Sequence, residues 1–248
     1  MSSCNDDNVK YSFVFKNTNK DGGDLDTIVF LLLSMFDALA VVILMFKIFR
    51  QSLREHKYII ALLCAFSSCS SYLFRVVLDL SPVLDMVAQI MIFLLFNRFL
   101  LKVKVFYSWV MVAAGFGVFV ALQMPVYYVA TLFGVSESVA GSTGGAGVET
   151  IQILTDSAAL IIGVIFKLFN LGFAFIVIPP HDFDIREKFF SGTNRLIIVS
   201  TFSLAVIITA ALYITIHFNV VMFIYPLVLL ALIILYYLSS RRDREDDD

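Results

Sequence analysis

The stretch IVFLLLSMFDALAVVILMFKIFRQSLREHK, residues 28–57, decides the fold. Residues 28–46 are apolar except for Ser34 and Asp37, and then Lys47, Arg50, Arg54 and Lys57 follow within a few residues. An apolar run of about 20 residues is long enough to cross the hydrocarbon core as a helix, and a basic cluster straight after it marks a cytoplasmic flank.

The pattern repeats along the chain. Apolar segments fall at about 27–46, 58–78, 84–101, 106–127, 151–178, 196–217 and 220–238. Basic residues then alternate between the connections. The third connection carries Arg98, Lys102 and Lys104, the fifth Arg186, Lys188 and Arg195, and the C-terminal tail Arg241, Arg242 and Arg244. The second, fourth and sixth carry none. Short cytoplasmic loops are enriched in Lys and Arg. The expected topology has the N-terminus outside and the C-terminus inside.

Composition agrees. The hydrophobic fraction is 60% and the mean hydropathy +0.89, against roughly 45–50% apolar residues in a soluble chain. Seven spans use most of the 248 residues. They leave a polar extracytoplasmic tail (1–26), an outer loop at 134–149 and a charged cytoplasmic tail (239–248), with no expected room for a folded soluble domain. An open sheet cannot cross lipid with unpaired edges, and the alternation of a membrane β-barrel is absent. The fold class expected is all-α, a polytopic seven-helix bundle. The acid-rich tail (Asp6, Asp7, Asp21, Asp24, Asp26) lacks the basic n-region of a cleavable signal peptide.

Chemistry-bearing patterns are few. Cys4, Cys64 and Cys69 form no disulfide framework, and the last two point to different sides of one helix. The Gly run in 134–149 lacks the Lys-Ser/Thr of a phosphate cradle. His181, Asp182, Asp184 and Glu187 bring one imidazole and no ligand spacing. Beyond Pro179-Pro180, which is expected to end helix 5, alternating aromatic and charged residues at 183–190 suit a segment on the inner membrane surface. The small hydroxyls at 67–71 suit close interhelical contact, and Gln89 and Gln123 suit interhelical hydrogen bonding. No nucleophile–base or metal set is found, so the expectation is a non-enzyme with no cofactor, no metal and no catalytic residue.

Function is read from intramembrane charge. Asp37, Arg75, Asp156 and Lys167 fall inside predicted spans, where each charge costs at least about 2.5–3.5 kcal/mol. Predicted depths match Asp37 with Lys167 and Arg75 with Asp156, and at least one of these pairs is expected. Asp79, four residues on, is a second candidate partner for Arg75. Gln152, Asp156, Ala159, Gly163, Lys167, Asn170 and Ala174 fall on one helical stripe. The candidate polar core is therefore Asp37, Arg75, Asp156, Lys167, Asn170 and Gln152.

Families can be weighed on particular residues. Asn97-Arg98-Phe99 stands where G-protein-coupled receptors carry an acidic-Arg-Tyr motif, but the Trp-x-Pro and Asn-Pro-x-x-Tyr motifs are missing. Helix 7 holds no Lys for a retinal Schiff base. The stretches Met45-Phe46-Lys47-Ile48-Phe49-Arg50, Ser71-Tyr72-Leu73-Phe74-Arg75 and Phe96 to Lys104 resemble the membrane halves of Gram-positive quorum-sensing receptor kinases of the accessory-gene-regulator type. The resemblance covers about helices 1–4 and lies in hydropathy and loop charge. It implies a sensor module. Such kinases continue into a dimerisation helix and an ATP-binding domain, for which these 248 residues offer no counterpart, so kinase activity is not expected to carry over.

The expected function is a sensor, scaffold or regulatory subunit in a plasma membrane, bacterial by the resemblance, acting through a membrane or cytoplasmic protein partner. Neither nucleic acid nor any particular ligand is implied. The alternative is a small transporter or permease subunit using Asp37, Arg75, Asp156 and Lys167 as its pathway. A water-filled cavity reaching Lys167 would favour the alternative.

Overall fold

The structure, a computed structural model, describes residues 23–135, 144–174, 176, 192–218 and 221–247. These residues form helices and their connections, with no strand among them. The helices are α1 (Gly23–Ile48), α2 (Lys57–Tyr72), α3 (Pro82–Phe99), α4 (Val105–Leu132), α5 (Ala146–Leu168), α6 (Gly192–Phe218) and α7 (Val221–Asp247). All seven are long and apolar enough to cross a membrane.

Local chemistry sets the ends. Ser81 caps α3, its hydroxyl accepting from the Leu84 amide, and Pro82 supplies a first-turn residue that needs no donor. α2 does not stop cleanly. It widens into a π turn over Leu73–Val77, where the Leu78 amide donates to the Leu73 carbonyl at 2.9 Å. Three connections at the basic end turn through left-handed residues: Arg50 (φ 51), Lys102 (φ 55) and Asn170 (φ 49).

α4 is the axis of the bundle. In its most apolar window 72% of residues are buried, against 17–39% in the other six helices. It packs on α1, α3, α5, α6 and α7, while α2 lies against α1 and α3. Small residues permit the close approach. A Cβ at Gly115 would stand 3.0 Å from the Met45 Cβ, and one at Gly117 2.9 Å from side-chain atoms of Leu204 and Leu232. The densest packing lies in the half nearer the basic connections, where Leu44, Met45, Phe46, Phe49 and Met111 are completely enclosed.

Helix 5 departs from its expected frame. It begins at Ala146, inside the stretch expected to be outer loop, and ends at Leu168 rather than 178. Asn170 and Gly172 (φ 120) stop it well before Pro179-Pro180, because a continuing helix cannot pass two left-handed residues. Asn170 and Ala174 thus lie beyond the helix. α7 also runs past 238 through the charged tail to Asp247. There the Asp243 carboxylate accepts from the Ala174 amide at 2.8 Å, so this acid is a tether rather than part of a solvated end. α4 continues past Pro125 to Leu132, five residues beyond its expected end at 127. The expectations for 1–22, 177–191 and the middle of the outer loop at 136–143 fall outside the described residues.

Candidate functional site

The half of the bundle away from the basic connections holds a cavity of about 260 Å³. It reaches the helix ends at Pro82 and Val148 and extends down to Val41, Phe93 and Phe116. One water molecule occupies about 30 Å³ of liquid, and small-molecule pockets start near about 300 Å³, so the space suits a small ligand. Six helices line it, and the lining is mixed: Asp37, Arg75 and Asp85 are charged, Gln89, Gln123 and Gln152 are amides, and aromatic, Met, aliphatic and small hydroxyl side chains form the rest.

The polar side is built on helical spacing. On α3, Asp85 and Gln89 are four residues apart and share a face, so the Gln89 amide donates to Asp85 Oδ1 at 3.2 Å. On α2, Ser67 and Ser71 have the same spacing and meet that face. The Ser71 hydroxyl donates to Asp85 Oδ2 at 2.7 Å. Gln89 donates to the Ser67 carbonyl at 3.2 Å and accepts from the Ser67 hydroxyl. Ser68 turns the other way and donates to the Leu31 carbonyl of α1 at 2.7 Å. Asp85 is therefore buried with both oxygens engaged. The Arg75 charge, carried on the π turn, acts most strongly on Asp85 and then on Asp37.

The second polar knot joins α1 and α5. Gln152 donates its side-chain amide to Asp37 Oδ2 at 2.7 Å, and Asp37 is hydrogen-bonded to Asp156 as well. Two carboxyl groups form such a bond only with a proton between them. Asp156 is 6% exposed, and its Oδ1 has no partner among the described residues.

Neither expected ion pair forms. Lys167 is one residue from the end of α5 and exposed, near Lys47. Asp37 lies 11 residues from the end of α1 and Asp156 12 residues from the end of α5. At a rise of about 1.5 Å per residue, these two acids share a level and Lys167 is far from it. Asp156 accordingly meets Asp37 rather than Arg75, and the charge acting on Arg75 is that of Asp85 rather than Asp79. Of the six candidate residues the structure gathers Asp37, Gln152, Asp156 and Arg75, and separates Lys167 and Asn170. Asn170 serves the turn instead, its carbonyl accepting from Arg50 at 2.8 Å.

The sequence analysis gives no role to Asp85, whereas the interhelical hydrogen bonding expected of Gln89 is met by its bonds to Ser67. The available signal was the four-residue spacing of Asp85 with Gln89 and of Ser67 with Ser71. Among the described residues no group of His, Cys, Asp and Glu is arranged to hold a metal ion.

Compared with protein-family models, with curated proteins and with solved structures, the chain matches none. Its reading rests on the cavity itself.

Proposed function

We propose that the protein is a sensor or regulatory subunit of a plasma membrane. It receives a small ligand in the cavity from the outer side and acts through a protein partner on its basic, cytoplasmic side. The observation that carries this reading is the cavity's single-ended form. The polar space reaches the helix ends at Pro82 and Val148, while the half below it is filled by Leu44, Met45, Phe46 and Met111. Among the described residues a pathway running to Lys167 has no counterpart, since that side chain lies on the exterior near the far end of α5. A strap after α5 ties the basic ends together and would carry a change in the cavity to the partner surface. In it Phe173 donates to the Ile48 carbonyl at 2.8 Å, Gln51 donates to the Ile176 carbonyl at 2.7 Å, and Ala174 donates to Asp243.

Access from one side is the test. In a chain with Cys4, Cys64 and Cys69 replaced by Ser, Thr215→Cys places a thiol on the cavity wall. A membrane-impermeant maleimide should modify it in right-side-out vesicles and leave it untouched in inside-out ones. Equal labelling from both sides would overturn the single-ended reading. The Asp37–Asp156 carboxyl pair, which holds an exchangeable proton, favours a second reading as a proton-coupled carrier whose opposite-facing state would open toward the basic side. That reading predicts labelling from both sides.

A further inference from the structure

We propose that the cavity selects a small organic monocation, an amine carried on an apolar body. The inference rests on the ligand-receiving reading above and adds the ligand's charge and shape.

Charge comes first. Among the described residues the charged side chains on the cavity wall are Asp37, Asp85 and Arg75, with Asp156 next to Asp37. The shared proton leaves the Asp37–Asp156 pair with one negative charge. Asp85 adds a second, and Arg75 offsets one. Among the described residues the site is short by one positive charge, in a region where uncompensated charge is costly. Lys167 cannot supply it from the end of α5. A bound monocation would.

The wall gives the shape. Around the acids the wall is completed by Phe93, Phe116, Phe119, Met86 and Met124, contributed by α3 and α4. Such surfaces bind apolar bodies, and aromatic faces attract cations. An inorganic ion would leave them unused, and the amides of Gln89 and Gln152 are already committed to carboxylates. A ligand with an ammonium at the acids and an aromatic or branched apolar part against the Phe and Met wall uses both sides of the space. The hydroxyl of Thr215, which has no partner among the described residues, is also on the wall and faces a further polar group of the ligand.

The test uses three probes of similar shape and different charge on the full chain in detergent at neutral pH: 2-phenylethylamine, 2-phenylethanol and 3-phenylpropionate. Titration calorimetry should show saturable binding of the amine, the alcohol about tenfold weaker or more, and no heat from the carboxylate. Asp85→Asn should weaken the amine by about tenfold or more while the unliganded protein melts as before, since an Asn oxygen still accepts from Ser71 or Gln89. Binding of the alcohol or the carboxylate as tight as the amine would overturn the assignment, as would an amine affinity unchanged by both Asp85→Asn and Asp37→Asn. Carboxylate binding abolished by Arg75→Gln would overturn the cation assignment and leave the ligand-receiving reading standing. So would the absence of binding by all three probes with Thr215→Cys still labelled from outside.

Discussion

Asp37 meets two side chains of a single helix, accepting from Gln152 and lying against the Asp156 carboxyl, both of α5. That geometry separates two substitutions that look alike. Asn at position 37 keeps an oxygen to accept from Gln152 and supplies its own N–H to Asp156, replacing the shared proton. Asp37→Asn should therefore change stability by less than about 1 kcal/mol. Asp37→Ala strands the Gln152 amide and the second Asp156 oxygen together and should cost about 1–3 kcal/mol, the usual penalty for buried groups left unmade. Melting of the purified protein in one detergent checks both, and equal losses would refute the shared-proton bond. This knot was half legible. Asp37, Gln152 and Asp156 stood out because an intramembrane acid or amide is rare and costly. Their partners did not, because opposite charges at matched depth pair only if the helix frame is right, and a frame error of about one turn moves a residue by about 5 Å. Asp85 escaped notice for a similar reason: the apolar run blurs near it, so a buried acid reads as an interfacial one.

Helices α1 and α5 are held in register by glycines. At Gly163 a Cβ would stand 2.6 Å from the Ile43 Cγ2, which a side-chain shift can relieve in part. Gly172 permits no such relief. Its φ is 120°, and a Cβ there would lie 2.6 Å from the Ile48 carbonyl oxygen and 2.9 Å from that of Lys47, both backbone atoms. Gly172→Ala should cost about 2–4 kcal/mol, combining left-handed strain with backbone overpacking. It should also loosen the strap whose Phe173 amide bonds to Ile48. Gly163→Ala should cost less, and a melting series of the two variants in which Gly172→Ala is the milder would contradict the contact at Ile48. Seven helices were readable because length and hydropathy alone specify a span. The end of α5 was not, since an apolar run continues past Leu168 (Leu171, Phe173, Phe175, Ile176) and only the positive φ at Asn170 and Gly172 breaks it. The π turn in α2 was equally invisible, because Leu73–Val77 has an ordinary helical composition.

The bundle has two unlike ends, and the orientation argument joins them. α1, α3, α5 and α7 finish at one end, where Lys47, Arg50, Arg98, Lys102 and Arg241 gather, and where Arg50 and Asp243 tie three of those helices together. The cavity belongs to the other end. Each Lys or Arg near an anionic cytoplasmic leaflet contributes about 1 kcal/mol, and the opposite connections offer nothing to compete, since 79–81 and 133–135 contain no basic residue. In the orientation proposed here the basic end is held inside and the cavity opens outward. A fluorescent protein fused after Asp248 should fluoresce, which it does only in the cytoplasm, and alkaline phosphatase inserted after Val135 should be active, which it is only outside. The reverse pattern would turn the cavity toward the cytoplasm. A ligand would then be an intracellular one and the partner surface would face outward, so this pair of fusions decides which compartment the amine probes represent.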